Sequence, residues 1–152
     1  MLKKIFFIIL SLNLLNHCDY KPVYSDQNKV NYKIVIKSFS GDKDINNQIT
    51  TNLKKNSKEG SDEIINIVID TKYTKNVLAK DSAGSITDYR ADVATTFVIE
   101  KENSSESFSV NEKFNFKKMT DKYEEKNYER NIKKNLANSI SQKLILRLAV
   151  IK

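Results

Sequence analysis

One cysteine, one proline, one histidine and three glycines are all that this chain of 152 residues holds of the types that staple, stiffen or catalyse. A single cysteine excludes an internal disulfide, so the fold stands on packing alone. The lone histidine, His17, lies at the end of an N-terminal leader, which leaves the rest of the chain without an imidazole. So few glycines argue against a phosphate-cradling loop, and neither a metal-spaced cluster nor a serine nucleophile elbow occurs. Asp62 with Glu63, and Glu124 with Glu125, are adjacent carboxylates, but at a strand edge and a helix start they read as solvated or capping groups rather than a hydrolytic acid pair. The expectation is a protein that is not an enzyme and holds no metal or resident cofactor.

Long apolar runs are also missing. The longest stretch, Ile5 to Leu15, follows Lys3 and Lys4 and is interrupted by Ser11 and Asn13. As a helix it covers roughly half of a ~30 Å hydrocarbon core. A positive start followed by so short an apolar segment is a secretion signal, expected over residues 1–17, rather than a membrane span.

Charge is plentiful but uninformative. There are 26 Lys and Arg against 19 Asp and Glu. Lysine supplies 23 of these cations, and Asn and Ile are each used 17 times, the mark of a compositional bias. The formal charge is +7, yet an export signal argues against a nucleic-acid binder. With 39% hydrophobic residues and strong local periodicity, the remainder is expected to form one domain with a modest core.

Leu15, Asn16, His17 and Cys18 occupy the places of a lipobox, and the stretch resembles the processing site of bacterial lipoproteins. That resemblance implies a diacylglyceryl group on the Cys18 thiol, cleavage before Cys18, and an acyl group on the new amine. Two or three chains at ~0.8 kcal/mol per buried CH₂ hold a protein on a membrane almost permanently. Asp19, next to the cysteine, is the residue that in enteric bacteria retains lipoproteins in the inner membrane. Cys18, Tyr20, Pro22, Val23 and Tyr24 then form a Cys-x-aromatic-x-Pro-aliphatic-Tyr frame similar to the start of the LPS-assembly lipoprotein LptE family. Pro22 fixes its own φ and pushes Lys21 toward extended geometry, so residues 18–28 read as a stiff tether. Tyr20 and Tyr24 suit either a membrane interface or ordinary packing on the domain.

Residues 29–152 carry the domain. "VNYKIVIK" alternates with Val30, Tyr32, Ile34 and Ile36 on one face, a half-buried strand. Ile45, Ile49 and Leu53 form one helical stripe, with Asp42 or Asp44 as the cap and Gly60 as the stop. Three further strands follow, carrying Ile65 to Tyr73, Tyr89 to Ile99 and Phe108 to Phe116 on their apolar faces. Turns are expected around residues 80–84 and 103–107. From about Tyr123 to Leu148 an amphipathic helix repeats Ile132, Leu136, Ile140, Leu144 and Leu148 every fourth residue. The expected fold is α+β, a two-layer sandwich of order β-α-β-β-β-α: a four-stranded mixed sheet with two helices on one face.

The LptE resemblance extends into this helix, where Glu129, Arg130, Leu136, Ala137, Ile140, Arg147 and Leu148 stand in a comparable series. It implies a lipoprotein on the periplasmic side of the outer membrane that plugs the lumen of the β-barrel LPS translocon protein LptD and binds lipopolysaccharide. Lys33, Lys37, Lys72, Lys75, Arg90, Lys113 and Lys117 are expected on the polar sheet face. Of these, Lys72, Lys75, Arg90, Lys113 and Lys117 are the candidate contacts for lipid A phosphates. The alternative is a periplasmic adaptor lipoprotein retained at the inner membrane and acting through protein contacts.

Overall fold

The structure, a computed structural model, describes residues 30–102 and 104–150. The leader, Cys18 and the tether lie outside the described residues. The elements are β1 (Lys33–Gly41), α1 (Lys43–Asn56), β2 (Ile64–Lys80), β3 (Ile86–Lys101), β4 (Ser104–Lys117) and α2 (Lys122–Val150). Their order is the β-α-β-β-β-α expected from the sequence.

β1 is brought parallel to β2 by the α1 crossover, and β2, β3 and β4 form an antiparallel meander, giving the spatial order β1-β2-β3-β4. Isoleucines alternate through β1 and β2, and their inward set faces the helices. Ile65, Ile67, Ile69, Val93, Phe97, Ile45, Ile49, Leu53, Ile140, Leu144 and Leu148 are all buried, and every member of the apolar cluster lies between Val30 and Leu148. Among the described residues no helix is long and apolar enough to cross a membrane.

Gly41 decides where β1 ends. Its φ is +86°, and a Cβ there would lie 1.8 Å from the Thr71 carbonyl oxygen, so only glycine lets the strand leave the sheet so close to β2. The next residue takes over at once. The Asp42 N–H donates to the Thr71 carbonyl at 2.9 Å, and the Asp42 side chain caps α1 by accepting from the Ile45 N–H at 3.1 Å. Of the two candidate caps, Asp42 is therefore the one used.

Gly60 does not end α1. The helix stops at Asn56 because Ser57 draws the chain back to β1, its Oγ accepting from the Ile34 N–H at 2.8 Å. Between β3 and β4 the turn is tighter than the polar run 103–107 suggests, since Lys101 already pairs with Ser104. The serines here belong to the strand, alternating with Glu106, Phe108 and Val110. At the start of α2, Asp121 Oδ1 accepts from the N–H groups of Tyr123 and Glu124 at 2.6 and 3.0 Å.

The two helices meet through amides as well as apolar groups. Asn138 Oδ1 accepts from Gln48 Nε2 and Asn52 Nδ2 at 3.1 and 2.9 Å, and Lys133 Nζ donates to Asp42 Oδ2 at 2.7 Å.

Candidate functional site

Strand alternation places Lys72, Arg90, Lys113 and Lys117 on the sheet face away from the helices. Their inward neighbours Thr71, Ala91 and Phe116 are buried. The register then fixes their spacing. Thr74 stands opposite Asp92 and Asp92 opposite Lys113, while Asn76, Arg90 and Asn115 form the next row and Asp88 faces Lys117. Lys72, Thr74, Asp92, Asn111 and Lys113 line a shallow depression of about 320 Å³.

The face is not uniformly basic. Asp92 Oδ2 accepts from Arg90 Nε at 2.9 Å and from Asn76 Nδ2 at 2.7 Å. Those two bonds, the arginine's first, hold its carboxyl below the usual carboxylate range. Arg90 is thus committed to Asp92, whereas among the described residues Lys72 and Lys113 make no salt bridge, Lys113 acting on Asp92 only through the longer-range field of its charge. What the surface offers is a pair of ammonium groups set among Ser, Thr and Asn side chains, suited to meeting phosphate or carboxylate oxygens as point charges.

Lys75 does not join them, and this corrects the placement expected from the sequence. It continues the Thr71, Tyr73 alternation, so it points to the helix side. There its ammonium donates to Glu125 at 2.8 Å and Glu129 at 3.1 Å, and lies 4.2 Å from the Tyr89 ring centre. Burial works to lower the Lys75 pKa, but the bonds to Glu125 and Glu129 outweigh it and hold it above its ordinary value. Conversely, the Lys75 bond keeps Glu125 below the carboxylate range against a smaller burial effect. Tyr73 completes the group by donating its hydroxyl to Glu129 at 2.8 Å, and burial, with that bond, pushes its pKa up.

A second basic feature lies where no sequence pattern pointed. A cleft of about 400 Å³ between α1 and α2 is lined by Asn47, Gln48, Thr51, Arg130, Lys133 and Lys134, with Asp44 at its edge. Lys133 is engaged by Asp42, leaving Arg130, which donates to Asn127 Oδ1 at 3.4 Å, and Lys134 as the cleft's cations with no acidic partner among the described residues. Residues separated by some eighty positions build it, so only the packing of two helices brings them together. Among the described residues no group of His, Cys, Asp and Glu is arranged to hold a metal ion.

The architecture is one that lipoprotein domains adopt. The rare lipoprotein B of Shewanella oneidensis superposes with a TM-score of 0.54 at 11% identity, covering 74% of this chain and 92% of its own. A minor lipoprotein from Acinetobacter baumannii gives a TM-score of 0.52 at 14% identity, over 76% and 94% of the two chains. At these identities the likeness establishes the shared fold. No protein-family model and no curated protein matches the sequence.

Proposed function

We propose that this chain is a non-enzymatic lipoprotein of the outer-membrane assembly kind. It is anchored through Cys18 on the periplasmic side of the outer membrane, where it plugs and supports the β-barrel LPS translocon and meets lipopolysaccharide during delivery. The observation that carries the reading is the agreement of two independent features: a lipobox cysteine followed by the LptE-like Tyr20, Pro22, Tyr24 frame, and a domain whose fold is shared with lipoproteins across nearly their whole length. A two-layer wedge with one helix-covered face and one polar face suits insertion into a water-filled barrel lumen, because both outer surfaces are wet. Lys72 and Lys113 are the cations best placed on that open face to meet lipid A phosphates.

The test is co-purification from detergent-solubilised envelopes. Recovery of the outer-membrane LPS-transport barrel with the tagged full chain, in a form that survives high salt, is expected. Repeated recovery of the chain without a barrel refutes the plug. Asp19 favours a second reading, an adaptor held at the inner membrane, and fractionation of the two membranes decides between them.

A further inference from the structure

The sheet has a step in it. β1 pairs with β2 only from Ile64 to Thr71, while β2 runs on to Lys80. Along a strand the N–H and C=O of one residue share a side, and successive residues alternate. The Thr71 carbonyl faces β1, where it accepts from the Asp42 N–H. The backbone groups of Tyr73, Lys75 and Val77 therefore face the same outer side, beyond the last β1 pair, Gly41 with Thr71, and among the described residues no strand pairs with them there. This open edge runs for about 20 Å from Thr71 to Val77.

We propose that this edge is a docking site for one extended, non-cationic strand of a partner protein, added in line with β1. Three observations select that occupant. First, Val77 and Leu78, beside the edge, are 48% and 44% exposed, and an added strand covers apolar side chains together with the backbone beside them. Second, Thr71 to Lys80 holds Lys72, Lys75 and Lys80 and no acid. Lys75 is neutralised by Glu125 and Glu129, which leaves Lys72 and Lys80 as the cations of this segment with no acid in salt-bridge contact among the described residues, so an added strand bearing carboxylates fits. Third, the chain enters the domain at the other end of β1: the Val30 N–H donates to the Asn56 carbonyl and Lys33 pairs with Ile64. That is about 23 Å short of the place where the open edge begins. The site also has a natural limit, because Leu78 is a bulge with no β3 partner and turns the strand there.

The inference does not rest on the translocon reading, and the two fail separately: barrel co-purification reports on one, amide protection on the other. The experiment is hydrogen exchange on the full chain in detergent micelles, with and without a ten-residue peptide alternating valine with glutamate and threonine at millimolar concentration. In the chain alone the Tyr73, Lys75 and Val77 amides should exchange fast, and those of Lys72, Thr74 and Asn76, which face β3, slowly. With the peptide the three fast amides should slow by about tenfold or more. Val77→Pro, which removes an outward N–H with no strand partner among the described residues, should abolish the effect, as should Leu78→Asp. Absence of slowing, slowing at the outer edge of β4 instead, or protection already present without peptide, whether or not it depends on protein concentration, each overturns the proposal.

Discussion

Removing the charge of Lys75 by Lys75→Met should destabilise the domain by about 2–3 kcal/mol. Its side chain is 24% exposed, and Glu125 and Glu129 are 17% and 22% exposed, so each ion pair stands between the surface and the buried regimes and contributes about 1 kcal/mol. The ammonium over Tyr89 adds about 0.5–1 kcal/mol. Truncation also leaves two carboxylates facing an aromatic floor, with the Met119 N–H and the Tyr73 hydroxyl as their remaining donors. Urea unfolding followed by circular dichroism should show the midpoint falling by about 1–2 M at unchanged slope. A double-mutant cycle with Glu125→Gln should return a coupling of about 1 kcal/mol. A cost below about 0.5 kcal/mol, or an equal cost for Lys72→Met on the open face, would refute the assignment of Lys75 as a strut. The pH dependence has a defined sign. Glu125 is depressed in the fold, so its contribution is present above the ordinary carboxylate value and disappears as pH falls through the depressed one. Lys75 is raised, so its contribution is complete below the ordinary lysine value and is lost as pH rises through the raised one. Between these limits the Lys75 effect should be flat.

Four further outcomes are expected. Phe97→Ala empties a fully buried position stacked on Phe108 and should cost about 3–5 kcal/mol by thermal or urea unfolding. Gly41→Ala should cost more than about 2 kcal/mol, or abolish folding, because its Cβ overlaps the Thr71 carbonyl. Gly84→Ala has a similar φ of +80° with nothing within 4 Å and should cost about 1 kcal/mol; equal costs would remove the steric explanation. Lys72→Met with Lys113→Met should leave stability within about 0.5 kcal/mol while weakening retention on immobilised lipid A, and unchanged retention excludes this pair as phosphate contacts. Cys18→Ala should lose both metabolic acyl label and membrane association, whereas a variant still in the membrane fraction would refute the lipid anchor.

The strands and helices were legible because each buries one face of a regular element. Alternating isoleucines mark β1 and β2, and Ile132 to Leu148 mark α2 at every fourth position. What misled was polarity read in isolation. Lys75 looked like a solvent-facing residue, but parity with Tyr73 carries it under α2, where two glutamates fifty or more positions away receive it. The serines before Phe108 looked like a turn because an open sheet face tolerates them as well as a loop does. Gly60 looked like a helix stop, yet a hydrogen bond from β1 to Ser57 ended α1 three residues earlier. Of the candidate site, the cations on the open face could be read from alternation. Their partners could not, because Asp92 chooses Arg90 only through strand geometry, and the cleft holding Arg130 and Lys134 exists only once two helices pack.

Glu112 sits among apolar neighbours on the helix-facing side of β4, between Val110 and Phe114. It accepts there from Ser139 Oγ at 2.6 Å and Lys143 Nζ at 2.8 Å, and the two bonds overcome burial to keep its carboxyl below the usual range. Both partners come from α2, so the outermost strand carries a lock that only the last helix can close. Sliding β4 by one residue would turn Glu112 to water and bring Lys113 against Lys143, cation to cation, while Lys117 replaced Phe116 in the core. Among the possible alignments of a polar, serine-rich strand, that inward carboxylate, together with Glu106 and its bond from Arg147, singles out the correct one, and the signal arrives only when the C-terminal helix has docked.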